Sequence, residues 1–76
     1  MKATLALREM VRSTDKSAIT ISREIGRGPN YVSSLISSGS VPSVETFATI
    51  ARACGARLQL VMRNGRVTTV DGWELS

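Results

Sequence analysis

Apolar residues recur at intervals of three and four along the first two thirds of the chain, the spacing that places side chains on one face of an α-helix. The pattern predicts helices over residues 3–12, 18–25 and 30–37, and a fourth that follows residue 43. The residues that form these stripes are Leu7, Met10 and Val11; Ile21 and Ile25; Val32, Leu35 and Ile36; and Val44, Phe47, Ile50, Ala51 and Cys54. We expect these faces, Cys54 included, to form a shared core.

Residues with special backbone preferences mark the ends of these helices. Ser17 and Ser43 precede the second and fourth helices, where a hydroxyl accepts a hydrogen bond from a backbone N–H. Glycines at 26, 39 and 55 are placed to end three helices. The sequence Gly26-Arg27-Gly28 predicts a three-residue turn, and Pro29 suits the first position of the third helix. The serines after residue 32 also fit a flexible linker, but the apolar spacing favours a helix.

The periodicity changes from helical to alternating after residue 55. Leu58, Leu60 and Met62 alternate with other residues, and Asn64-Gly65 is a strong hairpin-turn sequence. We expect these three side chains to lie on the helices and residues 66–70 to form the return strand. Asp71-Gly72 predicts a second turn, followed by a short amphipathic tail, Trp73-Glu74-Leu75. The fold class is therefore mainly α: a four- to five-helix bundle over residues 1–56, with a C-terminal β-hairpin and tail over residues 57–76.

Composition limits the chemistry. The 76 residues suffice for one domain, which at this size buries only about 60% of its unfolded surface, so that a partner subunit would help. The net charge of +4 modestly favours a polyanionic partner. With no histidine and one cysteine, the chain has neither an intramolecular disulfide nor a Cys/His metal cluster, and we expect no cofactor. No nucleophile lies beside a base and no phosphate loop is present, so we expect no enzyme activity.

The apolar stretches are too short for a membrane span, which needs roughly 18 residues. The stretch before Arg8 is also too short for the core of a signal peptide. We therefore expect a cytoplasmic protein.

Residues 17–55 resemble the helix-turn-helix domain of the lambda-repressor/Cro type, often called the xenobiotic-response-element family. The resemblance is carried by Ser22, Gly26, Val32, Leu35, Gly39, the run Pro42-Ser43-Val44-Glu45-Thr46-Phe47, Ile50-Ala51 and Gly55. Ser22 must be small because the third helix crosses there, and Gly26 needs a positive φ. The chain departs from the family at Ala18, where a glutamine is usual, and in the segment 26–39, which is one residue longer than is common.

The resemblance implies that the third helix enters the major groove of double-stranded DNA. The residues expected to face bases are Pro29, Asn30, Tyr31, Ser33 and Ser34. Those expected to contact phosphates are Arg23, Arg27, Gly28, Ser37, Ser38 and Ser40. No lysine or arginine lies between Pro29 and Arg52, so we expect a site that tolerates A·T pairs and binds modestly per subunit. Alternatively, these residues form an ordinary solvated helix face.

The hairpin predicts a partner, because two strands alone are marginal in water. We expect it to pair with its copy in a homodimer through Leu60, Val61, Met62, Val67, Val70 and Trp73; the alternative is that it covers its own helices. The resemblance implies a dimeric transcriptional regulator of bacterial or phage type, a repressor. The alternative function is an antitoxin that neutralises a toxin protein through the hairpin and tail and represses its own promoter.

Overall fold

Four helices and a two-stranded antiparallel hairpin make up the computed structural model, which describes residues 1–73. The order is α1 (Ala3–Ser13), α2 (Ala18–Glu24), α3 (Tyr31–Ser38), α4 (Val44–Ala53), β1 (Leu58–Val61) and β2 (Val67–Val70). The expected mainly helical fold with a C-terminal hairpin is confirmed. The predicted tail residues Glu74 and Leu75 lie outside the described residues. Among the helices of residues 1–73, none has the length and apolar character that crossing a membrane requires.

The predicted helix ends are confirmed at the caps. The Ser17 hydroxyl accepts a hydrogen bond from the N–H of Thr20, and the Ser43 hydroxyl accepts one from the N–H of Thr46. Gly39 follows α3 in the left-handed conformation, with φ of 67°. These local signals are reliable because each cap satisfies backbone groups that a helix end leaves without partners.

The start of the third helix differs from the prediction. Pro29 was expected at the first helical position, but Pro29 and Asn30 lie in the turn and α3 begins at Tyr31. The reason is visible in the backbone: the N–H of Tyr31 reaches back only to the carbonyl of Gly28, and the first hydrogen bond of α-helical spacing runs from Ser34 to Asn30.

The core lies between the helices, and each helix contributes one nearly inaccessible aliphatic side chain. These side chains, Leu7, Ile21, Val32 and Ile50, are at most 1% exposed. Cys54 is half-buried against this core, as expected. The prediction was wrong for Val44, which is 62% exposed. As the first residue of α4, it lies along an apolar groove beside Phe47 and Leu58 instead of within the core.

The hairpin pairs Leu58 with Val70 at its open end and Val61 with Val67 near its turn. Leu58 packs against the helical core, as expected. Leu60 and Met62 do not, with exposed fractions of 57% and 41%. Both strands are half-buried only at the end away from the turn, which shows that the hairpin extends beyond the helices.

Candidate nucleic-acid interface

Ser22 joins α2 to α3 at the point where the two helices cross. Its side chain is fully buried, and its hydroxyl accepts a hydrogen bond from the N–H of Val32 at 3.1 Å. The same hydroxyl donates to the carbonyl of Ala18 at 2.7 Å. The first N–H groups of a helix have no partner within it, and the Asn30 side chain makes no capping bond here. Ser22 therefore caps α3 from a neighbouring helix, which fixes how α3 is presented.

The turn between α2 and α3 is compact. Gly26 takes a φ of 77°, a left-handed conformation that costs other residues about 1–2 kcal/mol. Its N–H donates to the carbonyl of Arg23, and the N–H of Arg27 donates to the carbonyl of Ser22 at 2.9 Å. The positive φ predicted at Gly26 is confirmed, and the turn places Arg27 next to the start of α3.

The outer face of α3 is polar and uncharged. Val32 is buried and Leu35 and Ile36 are half-buried, whereas the serines at 33, 34, 37 and 38 are exposed. Pro29 and Asn30 are exposed in the turn before them. Tyr31 is half-buried and packs against the core. Of the five residues predicted to face bases, four are thus exposed and Tyr31 is half-buried.

The predicted phosphate-contacting residues surround this face, and all six are exposed. Not all of their donors are free. The single hydroxyl proton of Ser38 is engaged within the chain, because its oxygen lies 2.7 Å from the carbonyl of Ser34 and 2.8 Å from the Ser40 hydroxyl. Among the serines flanking the face, Ser38 is therefore poorly placed to donate to a phosphate.

The charge around this face is positive, and the one acidic residue of α2 is paired with a lysine. Glu24, at the end of α2, accepts a hydrogen bond from the Lys16 ammonium at 2.8 Å. The same ammonium donates to the carbonyl of Ala53 at the end of α4, also at 2.8 Å. Arg23 and Arg27 have no carboxylate partner among residues 1–73, and α3 itself carries no charge in its first or last turn.

Arg27 is held by aromatic rings. Its guanidinium carbon lies 4.8 Å from the ring centroid of Tyr31 and 5.0 Å from that of Trp73. Both distances are within the range of a cation–π contact. The sequence pattern gave no indication of the contact with Trp73, because the two residues lie 46 positions apart with no periodicity linking them.

The residues predicted to mediate dimerisation differ in their surroundings. Leu60, Val61, Met62 and Val67 are exposed, and Val61 most of all, at 74%. Val70 and Trp73 are half-buried, and Trp73 packs against the core of its own chain. The hairpin thus both covers its own helices, through its open end, and presents apolar side chains to solvent near its turn.

Nothing within residues 1–73 forms a cluster of three or more histidine, cysteine, aspartate or glutamate residues able to hold a metal ion. Burial raises the pKa of the Cys54 thiol above its ordinary value of 9.0, while nearby Lys16 lowers it in part and Glu24 adds to the rise. A thiol with a raised pKa is a poor nucleophile at neutral pH, in keeping with a packing role for Cys54.

Comparison with known protein families, with curated proteins and with solved structures finds no match to this chain. Its function is therefore inferred from its own geometry and charge.

Proposed function

We propose that this chain binds double-stranded DNA as a transcriptional repressor of the lambda-repressor/Cro type, with α2 and α3 as its helix-turn-helix and α3 in the major groove. The observation that carries the proposal is the form of α3. One face is buried, the opposite face is accessible, polar and uncharged, and a buried hydroxyl fixes its N-terminus. A major groove about 12 Å wide accepts such a helix. A helix face that only contacts solvent does not require the N-terminus of the helix to be fixed in this way.

Base recognition is assigned to the exposed side chains at the start of α3. The Asn30 amide makes no capping bond and is able to form a two-pronged contact with adenine. Ser33 and Ser34 donate or accept equally well, so they discriminate weakly between bases. Arginine is the residue that most often reads guanine, and α3 has none. We propose a site tolerant of A·T pairs. Selection from random duplexes tests this, and recovery of an essential G·C core would contradict it.

Arg23 and Arg27 are assigned to the phosphates on either side of the groove, since both are exposed and neither is paired with a carboxylate among residues 1–73. Gly28 leaves the turn free of a side chain, and an added Cβ there would meet nothing within 4 Å. A phosphate oxygen is therefore able to approach the backbone next to the start of α3.

The repressor is proposed to act as a homodimer that joins through its hairpins. The N–H of Met62 donates to the carbonyl of Arg66 at 2.8 Å, so these two residues form a hydrogen-bonded pair. Hydrogen-bonded and non-hydrogen-bonded pairs alternate in an antiparallel ladder, so the next pair, Val61 and Val67, is not hydrogen-bonded. The backbone N–H and C=O of Val61 therefore point away from β2. That edge, next to exposed Val61 and Val67, suits pairing with a second copy. A two-fold dimer places two α3 helices on successive major grooves, roughly 34 Å apart.

The proposal is tested by titrating the protein against a labelled duplex from upstream of its own gene, and against a random duplex, at two salt concentrations. Binding to both duplexes is expected to weaken steeply as salt rises, because each phosphate contact releases counterions. The upstream duplex is expected to bind more tightly than the random one at both salt concentrations. No binding to either duplex at low salt would contradict the proposed function.

A second candidate function is favoured by the exposed apolar side chains near the hairpin turn. Together with an apolar groove of about 440 Å³ between α1, α4 and the hairpin, they suit a protein partner as well as a second copy. In this alternative the chain is an antitoxin that neutralises a toxin and represses the promoter they share. A toxin reading frame beside the gene, with co-purification of its product, would distinguish it from a simple repressor.

A further inference from the structure

The segment that follows β2 turns back onto α4 and brings Trp73 beside the turn between α2 and α3. The N–H of Trp73 donates to the Thr49 hydroxyl at 2.7 Å, and that hydroxyl donates to the carbonyl of Glu45 at 2.8 Å. Thr49 is fully buried. A single buried hydroxyl in the middle of α4 thus accepts from the segment after the hairpin and fixes the backbone of Trp73.

Gly72 allows this approach because it has no side chain. A Cβ at this position would lie 2.5 Å from the backbone nitrogen of Thr49 and 2.7 Å from its Cα, closer than real Cβ contacts come. The closest contact would be with the Thr49 hydroxyl oxygen, and the next two are with backbone atoms, which cannot move aside as a flexible side chain can. The position of Trp73 is therefore set by close packing as well as by a hydrogen bond.

The Trp73 ring in turn meets Arg27. The guanidinium lies over this ring at 5.0 Å and over the ring of Tyr31, the first residue of α3, at 4.8 Å. An arginine that rotates freely loses much rotamer freedom when it binds a phosphate, and this loss weakens binding. Where the guanidinium is already held in place before the phosphate binds, less rotamer freedom remains to be lost. Arginine is also weakly hydrated and stacks well on aromatic rings. A phosphate is still able to bind it, because Arg27 remains exposed.

We infer that Trp73 is a positioning residue for DNA binding: it holds Arg27 beside the start of α3, ready to contact a phosphate. The segment after the hairpin is thereby part of the DNA-binding surface. This inference rests on the proposed function, and it adds a residue that lies outside the helix-turn-helix and contacts no DNA itself.

The first experiment needs no DNA. Trp73 is the only tryptophan in the chain, so tryptophan fluorescence reports on the surroundings of this one residue, the Arg27 contact among them. Replacement of the guanidinium by an apolar chain in Arg27→Met is expected to shift the emission of Trp73. The matched control is Arg66→Met, which removes the same charge at the hairpin turn and is expected to leave the emission unchanged. Equal spectra for Arg27→Met and the wild-type protein would overturn the inference.

The second experiment is a double-mutant cycle on DNA affinity over a range of salt concentrations, at a temperature where circular dichroism shows every variant folded. Trp73→Leu keeps an apolar side chain but removes the π face, and it is expected to weaken binding about twofold to fivefold, as an exposed cation–π contact implies. Trp73→Phe is expected to recover most of that loss. Arg27→Met is expected to lower the slope of log affinity against log salt by about one phosphate contact, and Arg66→Met to leave it unchanged.

The decisive quantity is the penalty of Arg27→Met in the Trp73→Leu background. Positioning predicts a smaller penalty there than in the wild-type background, because the arginine has already lost its support. A purely structural Trp73 predicts equal penalties, and equal penalties with intact wild-type binding would overturn this inference alone. Absence of DNA binding by the wild-type protein would overturn the proposed function and this inference with it.

Discussion

The Ser22 hydroxyl accepts a hydrogen bond from the N–H of Val32 across the junction of α2 and α3, at a distance of 3.1 Å. The side chain of Ser22 is fully buried. Its own proton goes to the carbonyl of Ala18, so that the hydroxyl is used both as donor and as acceptor. Because Val32 is also fully buried, its side chain and its backbone are fixed at the same place. The angle between the two helices is thus set by a directional bond as well as by packing.

Loss of this hydroxyl is expected to destabilise the protein. In Ser22→Ala the buried N–H of Val32 has no acceptor, and leaving such a donor unsatisfied costs about 1–3 kcal/mol. The measurement is the free energy of unfolding from urea denaturation followed by circular dichroism. The control is Ser38→Ala, because the exposed Ser38 hydroxyl contacts the carbonyl of Ser34 in its own helix and the hydroxyl of Ser40 just after it. This substitution should change stability by less than about 0.5 kcal/mol. Equal stability for Ser22→Ala and wild type would contradict the capping role.

Gly72→Ala is expected to cost about 1–3 kcal/mol, the usual range for overpacking, because the new methyl group would overlap the backbone of Thr49. Gly28→Ala is the matched control. It reduces the freedom of the unfolded chain in the same way but adds a methyl group where nothing lies within 4 Å. Urea denaturation of the two variants should therefore separate them. A Gly72→Ala protein as stable as Gly28→Ala would show that the segment after β2 does not depend on Thr49.

The ends of the elements were predictable because the residues that end them act locally. Ser17 and Ser43 cap a helix that begins at the next residue, and Gly26 provides its own left-handed conformation. The exposed, polar face of α3 also followed from spacing alone. The start of α3 was predicted too early, because the N–H of Val32 is capped by the hydroxyl of Ser22, a residue on another helix.

Contacts between distant residues were not predictable from the pattern. Alternation in β1 indicates which residues share a face, but it does not say whether anything covers that face. Leu60 was therefore expected to lie on the helices, whereas it is exposed. Likewise, Trp73 looked like an apolar residue free to form an interface. Only the three-dimensional arrangement places it against Thr49 and Arg27.

The stability of the protein is expected to fall as pH rises above 9.0, because burial raises the pKa of the Cys54 thiol in the folded state. Below that pH the thiol is protonated in both states. Above it the unfolded thiol ionises first, so that the folded state binds more protons and the free energy of unfolding decreases. Urea denaturation on either side of pH 9.0 measures the change, and Cys54→Ala should reduce it. Lys16→Met should raise the pKa further, since Lys16 favours the thiolate.

On DNA, two substitutions are expected to have different effects. Asn30→Ala removes the side chain assigned to adenine and should reduce the preference for the specific over the random duplex by about tenfold, with little change in salt dependence. Arg23→Met removes a phosphate contact and should weaken both duplexes alike, lowering the salt slope by about one. Competition titrations at two salt concentrations measure both effects. If Asn30→Ala leaves the preference unchanged, the assignment of base contacts is wrong even where DNA binding holds.

The dimer is best tested by a substitution on the hairpin. Removal of residues 58–76 would also remove Leu58 and Trp73, which pack against the core. A monomer obtained in this way would not show whether the lost interface or the lost core packing was the cause. Val61 is 74% exposed in the single chain, and Val61→Lys should therefore leave the monomer folded. In the proposed interface it would bury an unpaired ammonium and weaken association by about tenfold or more.

Sedimentation equilibrium over a range of micromolar concentrations measures this association. Gln59→Lys is the control, because it places the same charge two residues away on the same face of β1 without removing an apolar side chain. We expect the wild-type protein to sediment as a dimer, Gln59→Lys mostly so, and Val61→Lys as a monomer. A wild-type chain that stays monomeric throughout this range, or a Val61→Lys variant that associates as tightly as Gln59→Lys, would show that the hairpin does not form the dimer interface.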